Sequence, residues 1–409
     1  MRIVIVWLAA AALALGTLAA EPPVSHVLNT STPTDGHEVW RCREIWRVGG
    51  DNESDPLFGL ISEIGADEAG NIYVLDTQLC HVHMFSPQGD LVRTLFRPGE
   101  GPAEIDAPID LVVLPDAVGL AQEYPGKIVI VDRDGNPRPT IVPGQGSSVS
   151  LTTAGHADSC ILATGAYIGQ GDEPGTQSRT YFLASFDPEG AERTRFLEAH
   201  GVYNYTDFTF SERHHIPSFW WGWTTTADGH LYVVPDRDQY MVHVYDSEGV
   251  LERVIQRAHA PARRDEAAIG RLHRLLEGAM AGLPFEVAYD IEPTHPAISS
   301  FHRPLHVTPD GYLWVTTTEG LLDQPDGIMA TYDVFDPAGT FVKQVSIACE
   351  GRGYDDCLFF IGHDRIVLLK GYIDALAAQF GRGVVPAGED EDPQPPEVIC
   401  YEVVSQTRL

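Results

Sequence analysis

The side chains able to do chemistry in this sequence are scattered rather than gathered into a familiar constellation. His81 and His83 are one residue apart, so in a strand both rings lie on one face, a geometry metals use. No third ligand is evident near them. His214 and His215 are adjacent and would face opposite ways in a strand. His302 and His306 would share a face, but stand too far apart for one metal at about 3.3 Å of rise per residue. Neither an HExxH helix nor an EF-hand loop occurs, and no GxSxG nucleophile elbow is present. The absence of CxxC removes support for a zinc ribbon or thioredoxin-like site. What remains is a set of polar groups suited to holding a ligand, provided the fold brings them to one surface: Asp76, Arg97, Glu104, Arg133, His214, His215, Asp236, Arg237, His302 and Arg303. The aromatic run Phe219-Trp220-Trp221-Gly222-Trp223 adds either core packing or a stacking platform for flat ligands.

The elements that must position these groups are written as a repeat. Ala69-Gly70-Asn71-Ile72-Tyr73-Val74, Asp228-Gly229-His230-Leu231-Tyr232-Val233 and Asp310-Gly311-Tyr312-Leu313-Trp314-Val315 each read as a turn followed by a strand buried on both faces. Weaker copies are Gly126 to Ile130 and His363 to Leu368. The Asp-Gly pairs predict type I′ turns, in which both central residues take positive φ. A second signature follows: Phe85-Ser86-Pro87-Gln88-Gly89, Phe186-Asp187-Pro188-Glu189-Gly190, Tyr245-Asp246-Ser247-Glu248-Gly249 and Phe335-Asp336-Pro337-Ala338-Gly339. In each an aromatic ends a strand, a glycine closes the turn and another strand leaves. Two hairpins in phase, recurring at intervals of roughly 50 residues, predict four-stranded propeller blades. The blades fall at 57–96, 103–142, 149–197, 218–257, 301–347 and 354–404. The fold class is therefore all-β, a single six-bladed β-propeller over residues 37–404. Its segment His37 to Gly50 adds a strand to the last blade and closes the ring.

Two segments break the rhythm. Residues 262–282 predict a short helical insert between blades 4 and 5, with Ile269, Leu272, Leu275, Leu276 and Met280 near helical spacing. Residues 386–397 are acidic and proline-rich and predict a loop. Residues 1–20 have a positive start, an apolar stretch and small residues before Glu21, the pattern of a secretory signal peptide. A linker (21–36) and a C-terminal tail (405–409) complete the expected organisation. Export to the periplasm or beyond permits disulfides among the six cysteines. Cys349 and Cys357 flank a glycine-rich stretch, and Cys42 and Cys400 sit near opposite ends of the folded part; both pairs are disulfide candidates.

At these residues the sequence resembles the exported bacterial six-bladed β-propellers of the NHL-repeat type. GEGPAEIDAP (Gly99 to Pro108) is similar to that family's Gly-x-Gly-Pro-Gly-Glu-Phe stretch, with Ala103 and Ile105 in place of Gly and Phe. YVLDTQLCHVHMFSPQG (Tyr73 to Gly89) and PDGYLWVTT leading to TYDVFDPAG (Pro309 to Gly339) carry the rest. The resemblance implies the fold and is nearly silent on chemistry. The related metal-dependent lactonases use Glu, Asn and Asp from inner strands, and this chain has few Asn residues in its blades.

In such a blade the Asp-Gly and aromatic-x-x-x-Gly turns share one face of the disc. The other face, with longer and more varied loops, is the expected binding face. It would gather the ten polar residues above into a funnel. The chain carries 27 basic and 58 acidic side chains, a formal charge of −31, which excludes a nucleic-acid footprint and a polybasic membrane surface. The function read from this is an exported module that binds a small molecule, a glycan or an envelope protein. The chain is expected to be monomeric, without nucleic acid and without a membrane span once the signal is removed. No catalytic residue, cofactor or metal is assigned. The alternative is a metal-assisted lyase or hydrolase with Ca or Zn in the central channel.

Overall fold

A computed structural model describes residues 23–408 except 51, 53, 54, 145–147, 158, 159, 363 and 381–394. The signal segment 1–20 and most of the acidic loop 386–397 lie outside the described residues. Strands β1 (Ser25–Asn29) and β2 (His37–Gly49) open the described chain. β3 (Ile61–Ala66), β4 (Ile72–Asp76), β5 (His81–Phe85) and β6 (Leu91–Leu95) form an antiparallel sheet in chain order. A short parallel pair, β7 (Arg97–Pro98) with β8 (Glu104–Ile105), leads into β9 (Pro108–Val113), β10 (Ala117–Gln122) and β11 (Lys127–Asp132). The next sheet is β12 (Val149–Ala157), β13 (Cys160–Gln170), β14 (Thr176–Phe186) and β15 (Glu192–Asn204).

β16 (Thr209–Ser211) runs directly into α1 (Glu212–His215). β17 (Trp223–Thr225), β18 (Leu231–Val233), β19 (Met241–Tyr245) and β20 (Leu251–Arg257) follow, with β1 added in parallel on the β20 edge. Then come α2 (Glu266–Met280) and β21 (Ala288–Asp290), which pairs with β16. β22 (Leu305–Val307), β23 (Leu313–Thr316), β24 (Ala330–Phe335) and β25 (Phe341–Ala348) precede β26 (Cys357–Ile361), β27 (Arg365–Lys370), α3 (Tyr372–Phe380) and β28 (Glu397–Arg408). β2 sits between β25, to which it is parallel, and β28, to which it is antiparallel, so these last strands merge into one eight-stranded sheet.

Successive sheets pack face to face. Tyr73, Val82 and Leu95 meet Leu111, Leu120 and Val129; Val112 and Ile128 meet Leu151, Ile161 and Phe182. Leu162 and Leu183 meet Trp223 and Leu231, and Val242 and Ile255 meet Leu313 and Phe335. Val334 and Ile347 meet Leu368 and Ile399. Finally Val367, Val398 and Trp46 meet Ile61, Val74 and Phe85, which returns the packing to the first sheet. A chain of small antiparallel sheets closed in this order is a β-propeller. The ring explains why Ile72, Tyr73, Val74 and Leu75 are all fully buried: each strand has a neighbour on both faces. Each such side chain contributes about 1.5–3 kcal/mol relative to exposure.

One capping rule recurs in the turns that leave the third strands. The side-chain oxygen of the first turn residue accepts from the amides two and four residues on. Asp132 does so to Asp134 and Asn136, Asp187 to Glu189 and Ala191, Asp246 to Glu248 and Val250, and Asp336 to Ala338 and Thr340. The Asp-Gly turns close in the same five-residue manner rather than as type I′ turns. Only the glycines (Gly70, Gly229, Gly311) have positive φ, and Asp228 and Asp310 do not. A single left-handed residue after an ordinary turn suffices, so the aspartate needs no strained backbone.

Four sequence readings are corrected. In the second sheet Ala117–Gln122, a strand of small residues, is the second strand, and Lys127–Asp132 is the third. Gly126 therefore sits in the turn between them, not in a turn of the Asp-Gly kind. The segment 21–36 is not only a linker, because β1 extends a sheet, and residues 405–408 continue β28 rather than forming a tail. All six cysteines are free. Cys42 lies opposite Val403 while Cys400 lies opposite Trp46, and the two cysteines face different packing layers, so they cannot bond. Cys349 and Cys357 are likewise divided between two layers. Among the described residues no helix is long and apolar enough to cross a membrane.

Gly190 combines the left-handed turn conformation (φ +82°) with contact to the preceding sheet: a Cβ there would lie 2.2 Å from the Val142 carbonyl oxygen. Gly36 has the same conformation (φ +84°) and open space around it. Gly190→Ala is expected to cost about 2–4 kcal/mol and Gly36→Ala only about 1 kcal/mol. Urea unfolding midpoints of the two variants check the difference.

Candidate functional site

Two buried charge clusters and two helices define the candidate site. Arg303, in the loop before β22, donates to Glu63 on β3 (2.6 Å) and to both carboxylate oxygens of Asp110 on β9 (2.7 Å each). It thus ties the inner strands of the first two sheets to the loop of a distant one. Asp110 also accepts from the amides of Leu111 and Ala154, so a third sheet is engaged. Burial works to raise the Asp110 carboxyl, and the Arg303 charge opposes it. Burial works against the Arg303 charge, but the two carboxylates more than offset it and hold the guanidinium firmly charged. The neighbouring His302 ring contacts the Ser62 carbonyl (3.1 Å), and burial pushes its pKa down to about 4, so it is neutral at pH 7.

The second cluster surrounds Glu212, the first residue of α1. Its carboxylate accepts from Arg264 (2.5 and 2.9 Å), from Arg237 (3.0 Å) and from the Glu292 amide (3.1 Å). Arg237 and Arg264 also donate to the carbonyls of Thr294 and Glu292. The cluster therefore pins both ends of the 262–294 insertion to the ring. Burial works to raise the Glu212 carboxyl, but the Arg264 and Arg237 bonds and charges prevail and hold it below its usual value.

Between these clusters lies a cavity of about 290 Å³. Leu272 and Leu275 of α2 and Ile373 and Leu376 of α3 line one side. Trp221, Val234, Ile298, Phe301, His302, Tyr354 and Tyr372 line the remainder, with Glu212, Arg237 and Arg264 supplying a polar wall. α2 forms because Asp265 caps it, accepting from the Ala268 amide (2.7 Å), and because its apolar stripe has somewhere to go. Leu276 is buried against the β14 and β17 layer, while Leu272 and Leu275 reach the cavity. Arg271 of α2 stacks over the Tyr354 ring at 5.4 Å. The result is an apolar, aromatic chamber with charge-paired hydrogen-bonding groups at one side, the composition of a small-molecule pocket.

The structure brings together only part of the funnel expected from the sequence. Arg237 and His302 line the cavity, and Arg303 lies beside His302 in the channel. His214 and His215 are close in sequence to Glu212 but serve other contacts. His215 is buried among Tyr203, Phe208 and Phe210 and accepts from the Ser211 amide, and His214 contacts the Ser211 hydroxyl. Asp76 and Asp236 are spent on loop amides: Asp76 accepts from Gly59, Leu60 and Leu79, and Asp236 from Asp238 and Gln239. Arg97 and Glu104 pair with each other at 2.8 Å, away from the cavity. Arg133 pairs with Asp67 and the Tyr73 hydroxyl. Asp67 belongs to a turn between first and second strands, so Arg133 is on the opposite end of the blade from the one expected. The misassigned strand of the second sheet is the reason. In the aromatic run, Trp223 is core and donates to Thr153, whereas Trp221 lines the cavity.

Glu63, Asp110, Glu212, Arg264, Tyr354 and the α3 residues were not picked out from the sequence. The one available signal was Arg263-Arg264 at the start of the predicted helical segment 262–282. His81 and His83 stack edge-on at 5.9 Å. Among the described residues no three His, Cys, Asp or Glu side chains come together as a metal site. The acids that do reach the channel, Glu63 and Asp110, are matched to Arg303.

No family model matches the chain, and no curated protein does either. Among solved structures it is similar to a Bacteroides fragilis chain described as a "Putative exported protein" (8% identity, 93% of this chain and 100% of that one, TM-score 0.47). It is also similar to a DUF4221-family member from Bacteroides vulgatus (9% identity, 90% and 98%, TM-score 0.47) and to virginiamycin B lyase from Staphylococcus aureus (8% identity, 88% and 99%, TM-score 0.40). At this identity and TM-score the likeness says nothing of chemistry.

Because the folded Glu212 carboxyl ionises below its ordinary value of 4.5, its contribution is full above that pH and is lost on acidification through the lower folded value. The protection of residues 262–294 against hydrogen exchange, taken relative to the intrinsic rate at each pH, is expected to fall selectively as the pH is lowered below 4.5. Glu212→Gln, which leaves two buried guanidinium groups short of a counter-charge, is expected to produce that loosening already at pH 7 and to cost about 3–5 kcal/mol.

Proposed function

We propose that this chain is an exported six-bladed β-propeller of the NHL type, acting as a monomeric binding module for a small molecule. The observation that carries this reading is the cavity of about 290 Å³ closed over by α2 and α3. Its volume stands at the low end of the range for small-molecule sites, about 300–1,000 Å³, which favours a compact ligand over a glycan chain or a protein loop. Its aromatic and aliphatic lining favours a ligand with a flat or branched apolar body. The Glu212, Arg237 and Arg264 wall favours one hydrogen-bonding or charged group at one end. Dividing the eight-stranded sheet at β2, with β22–β25 as one blade and β26, β27, β28 and β2 as the next, supports the six-bladed count. The reading requires no resident metal, since its polar groups are arginine–carboxylate pairs.

The test uses the mature chain and an anilinonaphthalene sulfonate dye, which has a flat apolar body and one anionic group. One saturable site is expected, weakened at least tenfold by Leu272→Trp, which fills the cavity, and unchanged by Arg97→Ala, which is remote from it. Binding indifferent to Leu272→Trp would overturn the assignment of the cavity. Elemental mass spectrometry on the same sample separates the two mechanisms. One zinc or calcium per chain retained through dialysis would move the reading to a metal-assisted enzyme.

A further inference from the structure

Two of the cysteines are brought together by strand register rather than by sequence. β2 and β25 run parallel, with Trp40 beside Ile347 and Arg41 beside Ala348 as the last rungs. Cys42 and Cys349 are the residues that follow this last rung, one on each chain segment. Cys42 packs in the same layer as Trp40, and Cys349 in the same layer as Ile347. Both cysteines pack against the same apolar layer, and both are half-buried. Cys42 is close enough to add to the upward push on the Cys349 thiol. Neighbouring parallel strands hold their Cα atoms about 4.8 Å apart, inside the 4.4–6.8 Å span that a disulfide bridges. Cys357 and Cys400 lie in the opposite layer and cannot compete.

We propose that Cys42 and Cys349 form a disulfide that locks β2 to the end of β25. The two thiols lose two protons and two electrons as the S–S bond forms. The electrons pass to a disulfide oxidant, glutathione disulfide or the disulfide of an oxidoreductase, which is reduced to two thiols. The bond would sit where β2 joins β25 to β28, the seam that merges the last strands into one sheet. Burial pushes the Cys42 thiol up to about 11 and Cys349 upward as well. Uncatalysed oxidation is therefore slow at neutral pH, and the formed bond resists reduction because neither sulfur is a good leaving group.

The experiment equilibrates the purified mature chain in glutathione buffers of graded potential and then alkylates, digests and maps it by mass spectrometry. The expected result is the coordinated loss of two of the six alkylatable cysteines and the appearance of one Cys42–Cys349 linked peptide. The oxidised chain should unfold several degrees higher than the reduced one, a difference abolished by Cys42→Ser. Cys42 and Cys349 both remaining alkylatable at the most oxidising potential would overturn the proposal, as would a peptide linking either to another cysteine. The peptide map of the unmutated chain decides the matter even if the serine variant folds poorly. The outcome is independent of the export reading, because the oxidant is supplied in the tube.

Discussion

The guanidinium of Arg303 is the point on which the middle of this molecule depends. It reaches from the loop ahead of β22 to Glu63 and Asp110 on the inner strands of the first two sheets. A ring of sheets has its narrowest spacing at the centre, where inner strands converge and where carboxylates would repel one another. A single cation between two anions removes that repulsion and fixes the distance across the channel. The backbone is bent to allow it: His302 and Arg303 have φ of +34° and +21°, both on the left-handed side. Such conformations at bulky residues cost of order 1–3 kcal/mol each and persist only where surrounding contacts overdetermine them. Here the Arg303 ion pairs and the packing of His302 on Phe359 and Tyr372 supply those contacts.

The cavity is a consequence of that arrangement. The bent segment carries Phe301 and His302 to its wall, and Phe301 in turn stacks on Tyr354 at 5.1 Å. The roof is a separate structure, made from insertions that interrupt the blade pattern: α2 between the fourth and fifth groups of strands, and α3 within the last. Neither helix is long, and each uses apolar residues that would otherwise face water. The Glu212 cluster holds the roots of the α2 insertion with charge while leaving the helix itself held by apolar contact. That division of labour suits a covering element that must be anchored at its ends and shaped along its length. The polar groups of the cluster are already paired, so the chamber offers directional hydrogen bonds without a large net charge.

Much of the fold was legible because the blade is a local object. A capping Asp or Ser, a glycine three residues on and an apolar run on either side are all short-range requirements. They recur wherever a hairpin must turn tightly against the preceding sheet. Gly89 illustrates the double constraint: its φ is +93°, and a Cβ would fall 2.6 Å from the Trp46 ring of the sheet that closes the circle. The reading failed where the local signal was weak. Ala117–Gln122 has small residues that suit a tight space between sheets but not the pattern of a strong strand, and the misphasing carried Arg133 to the wrong end. β1 and the end of β28 were missed because their partners, β20 and β2, are hundreds of residues distant.

The sequence by itself determined the repeated hairpins, the helix at the 262–282 insertion and the absence of a familiar catalytic motif. Each of these depends on backbone conformation or side-chain spacing within a few residues. The tertiary structure alone decided which charges meet. Asp76 and Asp236, which from sequence could be ligands or loop caps, cap their own loops, while Glu63, Asp110 and Glu212, unremarkable in the chain, became the anchors of the site. It also placed Cys42 and Cys349 against one apolar layer, away from either partner suggested by position. The physical reason is the same in every case. Burial makes an ionic or thiol contact strong or costly according to what lies across a sheet or channel, and that neighbour is set by ring closure and register, which no local pattern encodes.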